Sequence, residues 1–114
     1  MKYLPRECLR DMVNESKLIR GFVAGMTYET FVADVRTVRA VTRSLEIIGE
    51  ACRKLPKDFR DGHGQVPWRK IAGMRDRLIH DYKAINYRIV REAVQDELPA
   101  LEIILEQLIE ETKT

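Results

Sequence analysis

The chain has 114 residues, of which 33% are charged and 45% are hydrophobic. This length predicts one domain over residues 1–114, and the composition excludes both a disordered chain and a membrane-spanning protein. Twenty basic against eighteen acidic residues give a net charge of only +2, so a polyanion would have to bind a local basic patch. Residues 1–12 carry charges where a secretory signal needs an apolar stretch, which predicts a cytoplasmic protein.

Cysteine and histidine, which commonly bind metals or carry redox chemistry, occur only twice each. Cys8 and Cys52 lie far apart, and neither is in a Cys-x-x-Cys spacing, so we expect both to be reduced core residues. Glu46 and Glu50 are one helical turn apart, but no Glu-x-x-His motif accompanies them, as it does in di-metal bundles. The sequence therefore predicts neither a metal nor a cofactor.

Apolar residues recur at intervals of three, four and seven, which predicts an all-α fold. The first amphipathic helix is predicted over residues 4–26. Thr27 follows as a cap, because its hydroxyl can accept a hydrogen bond from an unpaired amide at the start of a second helix. That helix is predicted to run to Leu55, where Pro56 disfavours helical geometry in the residue before it.

Residues 56–66 contain a proline and two glycines and are predicted to form a loop. Pro67 suits the first turn of a third helix, which should run to about Asp81. A fourth helix is predicted over residues 87–112 with a kink at Pro99. Four amphipathic helices with short links favour an antiparallel up-and-down four-helix bundle, and a remaining apolar face would favour a homodimer.

In the predicted helix of residues 67–82, Arg75 occupies a position at which the helical periodicity predicts an apolar residue. On an ideal helix, Arg75 lies within about 60° of Ile71 and other apolar residues, so its guanidinium should point towards the core. A buried guanidinium needs carboxylates, a subunit interface or an anion in a cleft. Glu46 and Glu50 are candidate carboxylate partners.

A titratable cluster follows at the end of the same helix. Asp76 lies four residues before His80, a spacing at which a carboxylate can orient an imidazole and raise its basicity. Together with Arg75 and Tyr82 they form a cationic and aromatic group. The residues alone leave two interpretations open, an internal salt bridge at a capped helix end or a functional site.

The spacing Arg75-Asp76-x3-His80-Asp81-Tyr82 resembles the Arg-x4-6-His signature of HEPN-domain ribonucleases, in the R-x4-H-x-Y form of the HepT-like toxins. Three further blocks are similar to that family in the same order. They are residues 44–51 in the second helix, 67–75 before the motif, and 96–101 at the kink. The resemblance therefore covers nearly the whole chain.

The resemblance implies a homodimeric toxin that cleaves RNA without a metal and is neutralised by an MNT-type nucleotidyltransferase antitoxin. It implies that Arg75 and His80 are catalytic. Because cleavage also needs a general acid and the motif has one histidine, two copies of His80 would share a composite site at the dimer interface. Asp76 would support them, although the family commonly has asparagine there, and Tyr82 would be the residue that receives AMP. The expected partners are RNA, the antitoxin and a second copy, and not DNA or a membrane.

Other conspicuous residues have alternative interpretations. His63 lies in a glycine-containing loop, where we expect it to be exposed and outside the site. Arg36, Arg39 and Arg43 could form an RNA track but more commonly would form a solvated face. Trp68 could stack on a base, although its helical position favours the core. The alternative function for the whole chain is a binding module that docks a nucleotidyltransferase or a nucleotide without cutting RNA.

Overall fold

Regular structure in the described part of the chain is helical. The computed structural model describes residues 4–78 and 85–112, without the side chains of Arg75 and Leu78. The prediction of an all-α fold is confirmed. In these ranges the elements are α1 (Pro5–Val23), α2 (Tyr28–Ala33), α3 (Val35–Lys54), α4 (Lys57–Asp61), α5 (Trp68–Ala72), α6 (Met74–Leu78), α7 (Tyr87–Glu92), a π-helical turn (Ala93–Glu97) and α8 (Leu98–Glu111).

The amphipathic helix α1 begins at a proline and ends before a glycine turn. Pro5 costs no hydrogen bond at the start of α1, because the first amides of a helix have no intrahelical acceptor. The helix ends at Val23, before the predicted end at Met26. Gly25 has a φ of 76°, a left-handed conformation that glycine adopts readily, and it turns the chain away from α1.

Two caps divide the second predicted helix. Thr27 caps α2 as predicted, because its hydroxyl accepts a hydrogen bond from the amide of Thr30 at 3.1 Å. Asp34 then separates α2 from α3, and its carboxylate accepts a hydrogen bond from the amide of Thr37 at 3.1 Å. Hydrogen bonds from the amide and the side chain of Thr37 lower the pKa of Asp34. The prediction of one helix over residues 27–55 is therefore wrong, since a second N-cap interrupts its apolar seam.

The segment after α3 is built from short helices. Within the predicted loop of residues 56–66, α4 forms and is closed by a 2.8 Å ion pair between Lys57 and Asp61. The third predicted helix is interrupted at Gly73, whose φ of −90° and ψ of 7° separate α5 from α6. Its predicted end, at residues 79–81, lies outside the described residues. Five-residue helices are unstable alone, so α5 and α6 depend on tertiary contacts.

The last helix is kinked, as predicted. The π-helical turn Ala93–Glu97 precedes Pro99, which is the second residue of α8. Pro99 has no backbone N–H and cannot donate to the carbonyl of Gln95, four residues earlier. The wider turn therefore lies directly before the missing donor, the kind of site at which helices bend.

Ion pairs show that α1 and α8 are antiparallel. Lys17 lies 3.4 Å from Glu106, and Arg20 lies 2.6 Å from Glu102. Residue numbers thus rise along α1 while those of the partners fall along α8. Glu102 is only 7% exposed and also accepts a hydrogen bond from Ser16 at 3.3 Å. A buried polar network therefore fixes the register of these two helices.

The helices α3 and α5 are antiparallel as well. The thiol of Cys52 donates to the carbonyl of Trp68 at 3.3 Å, while Gly49 lies against the carbonyl of Ala72. These contacts confirm the antiparallel bundle for the described helices. No helix in the described ranges is long and apolar enough to cross a membrane. One hydrophobic core joins the bundle, and its fully buried large side chains include Leu9, Met12, Ile19, Leu45, Ile48, Ile71, Leu98, Leu105 and Leu108.

Candidate active site

The first half of the Arg-x4-His motif lies on α6. Arg75 and Asp76 follow Met74, whose side chain is 2% exposed and packs in the core. His80 and Tyr82 lie outside the described residues, and so does the side chain of Arg75. The catalytic roles of Arg75 and His80, the pairing of Asp76 with His80, and the modification of Tyr82 therefore stay predictions.

The helix predicted to run continuously through Arg75 is interrupted before this residue. The ideal wheel assumed a continuous helix through residues 67–82, in which Ile71 and Arg75 share a face. Gly73 interrupts that helix, because its ψ of 7° departs from the helical value, although the Arg77 amide still donates to the Gly73 carbonyl at 3.0 Å. The angle between Ile71 and Arg75 is therefore not that of an ideal wheel, and the inward direction of the Arg75 guanidinium stays a prediction.

Asp76 is an exposed carboxylate that faces α3. Its side chain is 69% exposed, and its Oδ2 lies 3.7 Å from Nη2 of Arg53, itself more than half exposed. Water screens an ion pair of this kind, which typically contributes about 0–1 kcal/mol. The pair therefore links the motif helix to α3 only weakly and leaves the carboxylate in contact with solvent.

A charge cluster that sequence reasoning missed lies between α5, α6 and the π-helical turn. Oε1 of Glu97 lies 2.6 Å from Nζ of Lys70. Its two oxygens also accept hydrogen bonds from Nη1 and Nη2 of Arg77, at 3.2 and 3.3 Å. We call Lys70, Arg77 and Glu97 the Glu97 cluster. Arg77 and the carboxylate thus form a bidentate ion pair, which fixes their relative orientation as well as their distance.

The electrostatics of the cluster keep Glu97 ionised. Partial burial raises the pKa of Glu97, but the hydrogen bonds and positive charges of Lys70 and Arg77 outweigh that effect and lower the pKa below its ordinary value of 4.5. In the sequence, Glu97 belongs to the block of residues 96–101 at the predicted kink, and no other feature marks it as a site residue. Its partners lie on other helices, and no helical spacing could connect them to it.

The basic residues of α3 lie on an exposed face. Arg36, Arg39 and Arg43 are all exposed. Nη1 of Arg43 lies 3.5 Å from Glu46 and 4.0 Å from Glu50. The contacts of Arg43 favour a solvated, ion-paired face at this end of the stripe. They also show that the two glutamates considered for the motif arginine have a cationic neighbour on their own helix.

Trp68 is a core residue, as predicted. It is 7% exposed, and its indole N–H donates to the carbonyls of Arg60 and His63 at 3.1 and 3.0 Å. The expectation that His63 is exposed is wrong, because this histidine is half-buried and stacks on Phe59 with ring centroids 4.3 Å apart. Its Nδ1 also lies 2.8 Å from the Phe59 carbonyl. His63 therefore closes the loop around Trp68.

Both cysteines are free and buried, which confirms the prediction that they are core residues. Burial raises the pKa of Cys52 to about 11, despite the opposing effect of nearby Arg60. Burial, followed by the charge of Asp11, raises the pKa of Cys8 as well. Neither thiol is suited to act as a nucleophile. Among the described residues, no group of three or more metal-binding side chains could hold an ion.

Comparisons with known proteins assign the family. Residues 12–108 match the family described as "Ribonuclease HepT-like". A relative from Caldanaerobacter subterraneus, named as an RNase, is 46% identical over 96% of this chain and 97% of its own length. A relative from Thermococcus cleftensis, named as a ribonuclease HepT, is 39% identical over 95% of this chain and 98% of its own length.

A third relative, from Methanocaldococcus jannaschii and also named as an RNase, is 45% identical over 82% of this chain and 78% of its own length. No solved structure matches the chain significantly. The family match begins within α1, ends within α8 and includes the complete segment 75–82. The chain therefore belongs to the HepT-like ribonuclease family.

Proposed function

We propose that this protein is a single-domain, metal-independent endoribonuclease that acts in the cytoplasm as the toxin of a toxin and antitoxin pair. The observation that carries the proposal is the family match over residues 12–108, which includes the whole motif from Arg75 to Tyr82. Full-length similarity to relatives named as ribonucleases supports it. The substrate is RNA.

The motif residues suit cleavage through the ribose 2′-hydroxyl. His80 removes the proton of that hydroxyl, whose oxygen attacks the adjacent phosphorus, and the bond to the 5′ oxygen breaks. Arg75 stabilises the negative charge of the phosphorane. The products are a 2′,3′-cyclic phosphate and a 5′-hydroxyl end, so no metal-activated water is needed. Asp76 supports His80 by orienting the imidazole.

The proposed site is completed by a second copy of the chain. The leaving 5′ oxygen needs a proton, and the motif contains one histidine, His80. A homodimer that brings two copies of His80 to one cleft supplies a base and an acid together. The composite site therefore lies at the dimer interface.

Control of the toxin is proposed to come from an MNT-type nucleotidyltransferase that binds it, modifies it, or does both. In the modification, Oη of Tyr82 attacks the α-phosphorus of ATP, forming a phosphodiester with AMP and releasing pyrophosphate. The added phosphate would crowd the site and repel the RNA backbone.

The intact mass of the chain after incubation with the antitoxin and ATP tests this modification. We expect AMP adducts on the natural chain and none on Tyr82→Phe, and an equal adduct on both would reject Tyr82.

Cleavage by the purified protein in EDTA tests the enzymatic proposal. We expect RNA fragments with 2′,3′-cyclic phosphate ends, in unchanged yield when divalent cations are removed. Activity that requires an added metal would reject the metal-independent mechanism. Binding of the antitoxin or a nucleotide without any cleavage would favour the alternative, a non-catalytic binding module.

A further inference from the structure

The Glu97 cluster joins the two sides of the break that precedes the motif. Lys70 lies on α5, before Gly73, and Arg77 lies on α6, after it. Both cations contact the same carboxylate, that of Glu97 at the end of the π-helical turn. One side chain therefore connects α5 and α6 to the π-helical turn that precedes α8.

A second ion pair joins α6 to another helix, the pair between Asp76 and Arg53 on α3. The Asp76 pair with Arg53 is longer, at 3.7 Å, and both of its side chains are more than half exposed. By contrast, the Glu97 side chain is 26% exposed and that of Arg77 is 34% exposed. Nε of Arg77 is buried and has no hydrogen-bond partner within the described ranges. The guanidinium thus depends on Glu97 to offset its burial.

The surroundings restrict how this pair can move. Arg77 and Glu97 border an apolar groove, together with Ile71, Met74 and Leu101. A guanidinium held by two parallel hydrogen bonds against such a surface fixes rotation as well as distance. Because α6 has only five residues, its orientation depends on tertiary contacts, which are its packing against α3, the burial of Met74 and the Glu97 cluster.

We propose that Glu97 is a positioning residue, which sets the orientation of α6, and hence of the motif that begins at Arg75, by binding Lys70 and Arg77 across the break at Gly73. The catalytic part of this inference rests on the proposed ribonuclease function. Misplacement of a catalytic group by about 1 Å is enough to slow a reaction about a hundredfold. Loss of the carboxylate should therefore lower the rate of the chemical step more than the affinity for RNA.

The test compares Glu97→Gln, Arg77→Gln and the double variant in RNA cleavage. We expect each single variant to lower kcat at least tenfold with KM changed less than threefold. The double variant should be no slower than the worse single variant, because all three variants lose the pair between Arg77 and Glu97. Glu106→Gln, which removes the exposed Lys17 pair on α8, is the matched control and should keep full activity. Unchanged kcat in Glu97→Gln would overturn the inference.

Hydrogen exchange separates this inference from the proposed function. In Glu97→Gln, amides of residues 74–78 should exchange at least tenfold faster, while those of α1 stay within twofold of the natural chain. Absence of cleavage by the natural chain would reject the ribonuclease proposal, whereas exchange would still decide whether Glu97 positions α6. Unchanged exchange in this segment would overturn the positioning role. Glu97→Asp, which keeps the charge, should fold and show intermediate values if Glu97→Gln is unstable.

Discussion

Gly49 on α3 lies so close to Ala72 on α5 that a Cβ at this glycine would be 3.2 Å from the Ala72 carbonyl oxygen. The neighbouring atom is part of the backbone and cannot rotate away as a flexible side chain could. The close approach brings α3 against the residues directly before Gly73 and the motif helix. The absence of a side chain at Gly49 is therefore a packing requirement.

A methyl group at Gly49 should destabilise the bundle. We expect Gly49→Ala to lower the free energy of unfolding by about 1–2 kcal/mol, because overpacking outweighs the gain in helix propensity. The control is Gly21→Ala on the exposed face of α1, where an added Cβ meets no atom within 4 Å. That change should raise stability by about 0.5–1 kcal/mol. The free energies of unfolding of both variants are compared in urea. Equal stabilisation by Gly49→Ala and Gly21→Ala would contradict the close contact between Gly49 and the Ala72 carbonyl.

Removal of the Glu102 side chain should destabilise the fold, because it leaves the buried hydroxyl of Ser16 without this hydrogen-bond acceptor. Ser16 is 3% exposed, and its hydroxyl donates to Glu102, which also binds Arg20. We expect Glu102→Ala to lower the free energy of unfolding by about 1–3 kcal/mol. The matched variant Glu106→Ala removes an exposed ion pair on the same helix and should cost less than about 1 kcal/mol. Equal losses of unfolding free energy in Glu102→Ala and Glu106→Ala would contradict a stabilising network of Ser16, Arg20 and Glu102.

Much of the bundle could be predicted because its signals are local. Helical periodicity marked α1, α3 and α8, the hydroxyl of Thr27 marked a cap, and Pro99 marked the kink. The breaks at Asp34 and Gly73 were missed, since each lies within an apolar pattern that continues on both sides. A short cap or a single glycine changes the backbone without changing that pattern.

The candidate site was predicted less completely, for a physical reason. The motif spacing from Arg75 to Tyr82 identifies residues that are close along the chain. The Glu97 cluster arises only when helices distant in sequence approach each other. His63 shows the same limit, because its stacking on Phe59 and its contact with the Trp68 indole depend on how the loop folds back.

Stability should depend on pH through Glu97. Its pKa is lower in the folded chain than the ordinary value of 4.5, so the ionised carboxylate stabilises the folded state. This contribution is complete above about pH 4.5 and is lost as the pH falls through the folded pKa. The difference in unfolding free energy between the natural chain and Glu97→Gln should therefore narrow from pH 6.5 to pH 3. A constant difference over that range would show that the charge of Glu97 does not stabilise the fold.

The buried thiols should resist modification until the chain unfolds. With a pKa of about 11, Cys52 has little thiolate at pH 8, and its burial further limits access. We expect a thiol-reactive disulfide reagent to label the folded chain at least about a hundredfold more slowly than the chain in urea. Rapid labelling of two thiols under native conditions would contradict the burial of Cys8 and Cys52.

The two histidines provide the most direct test of the proposed ribonuclease. Initial rates of RNA cleavage in EDTA should be compared for the natural chain, His80→Ala and His63→Ala, at equal helicity and dimer content. We predict that His80→Ala lowers kcat at least about a hundredfold, as expected for loss of a general base, while His63→Ala retains cleavage. Cleavage at the natural rate by His80→Ala would contradict the account.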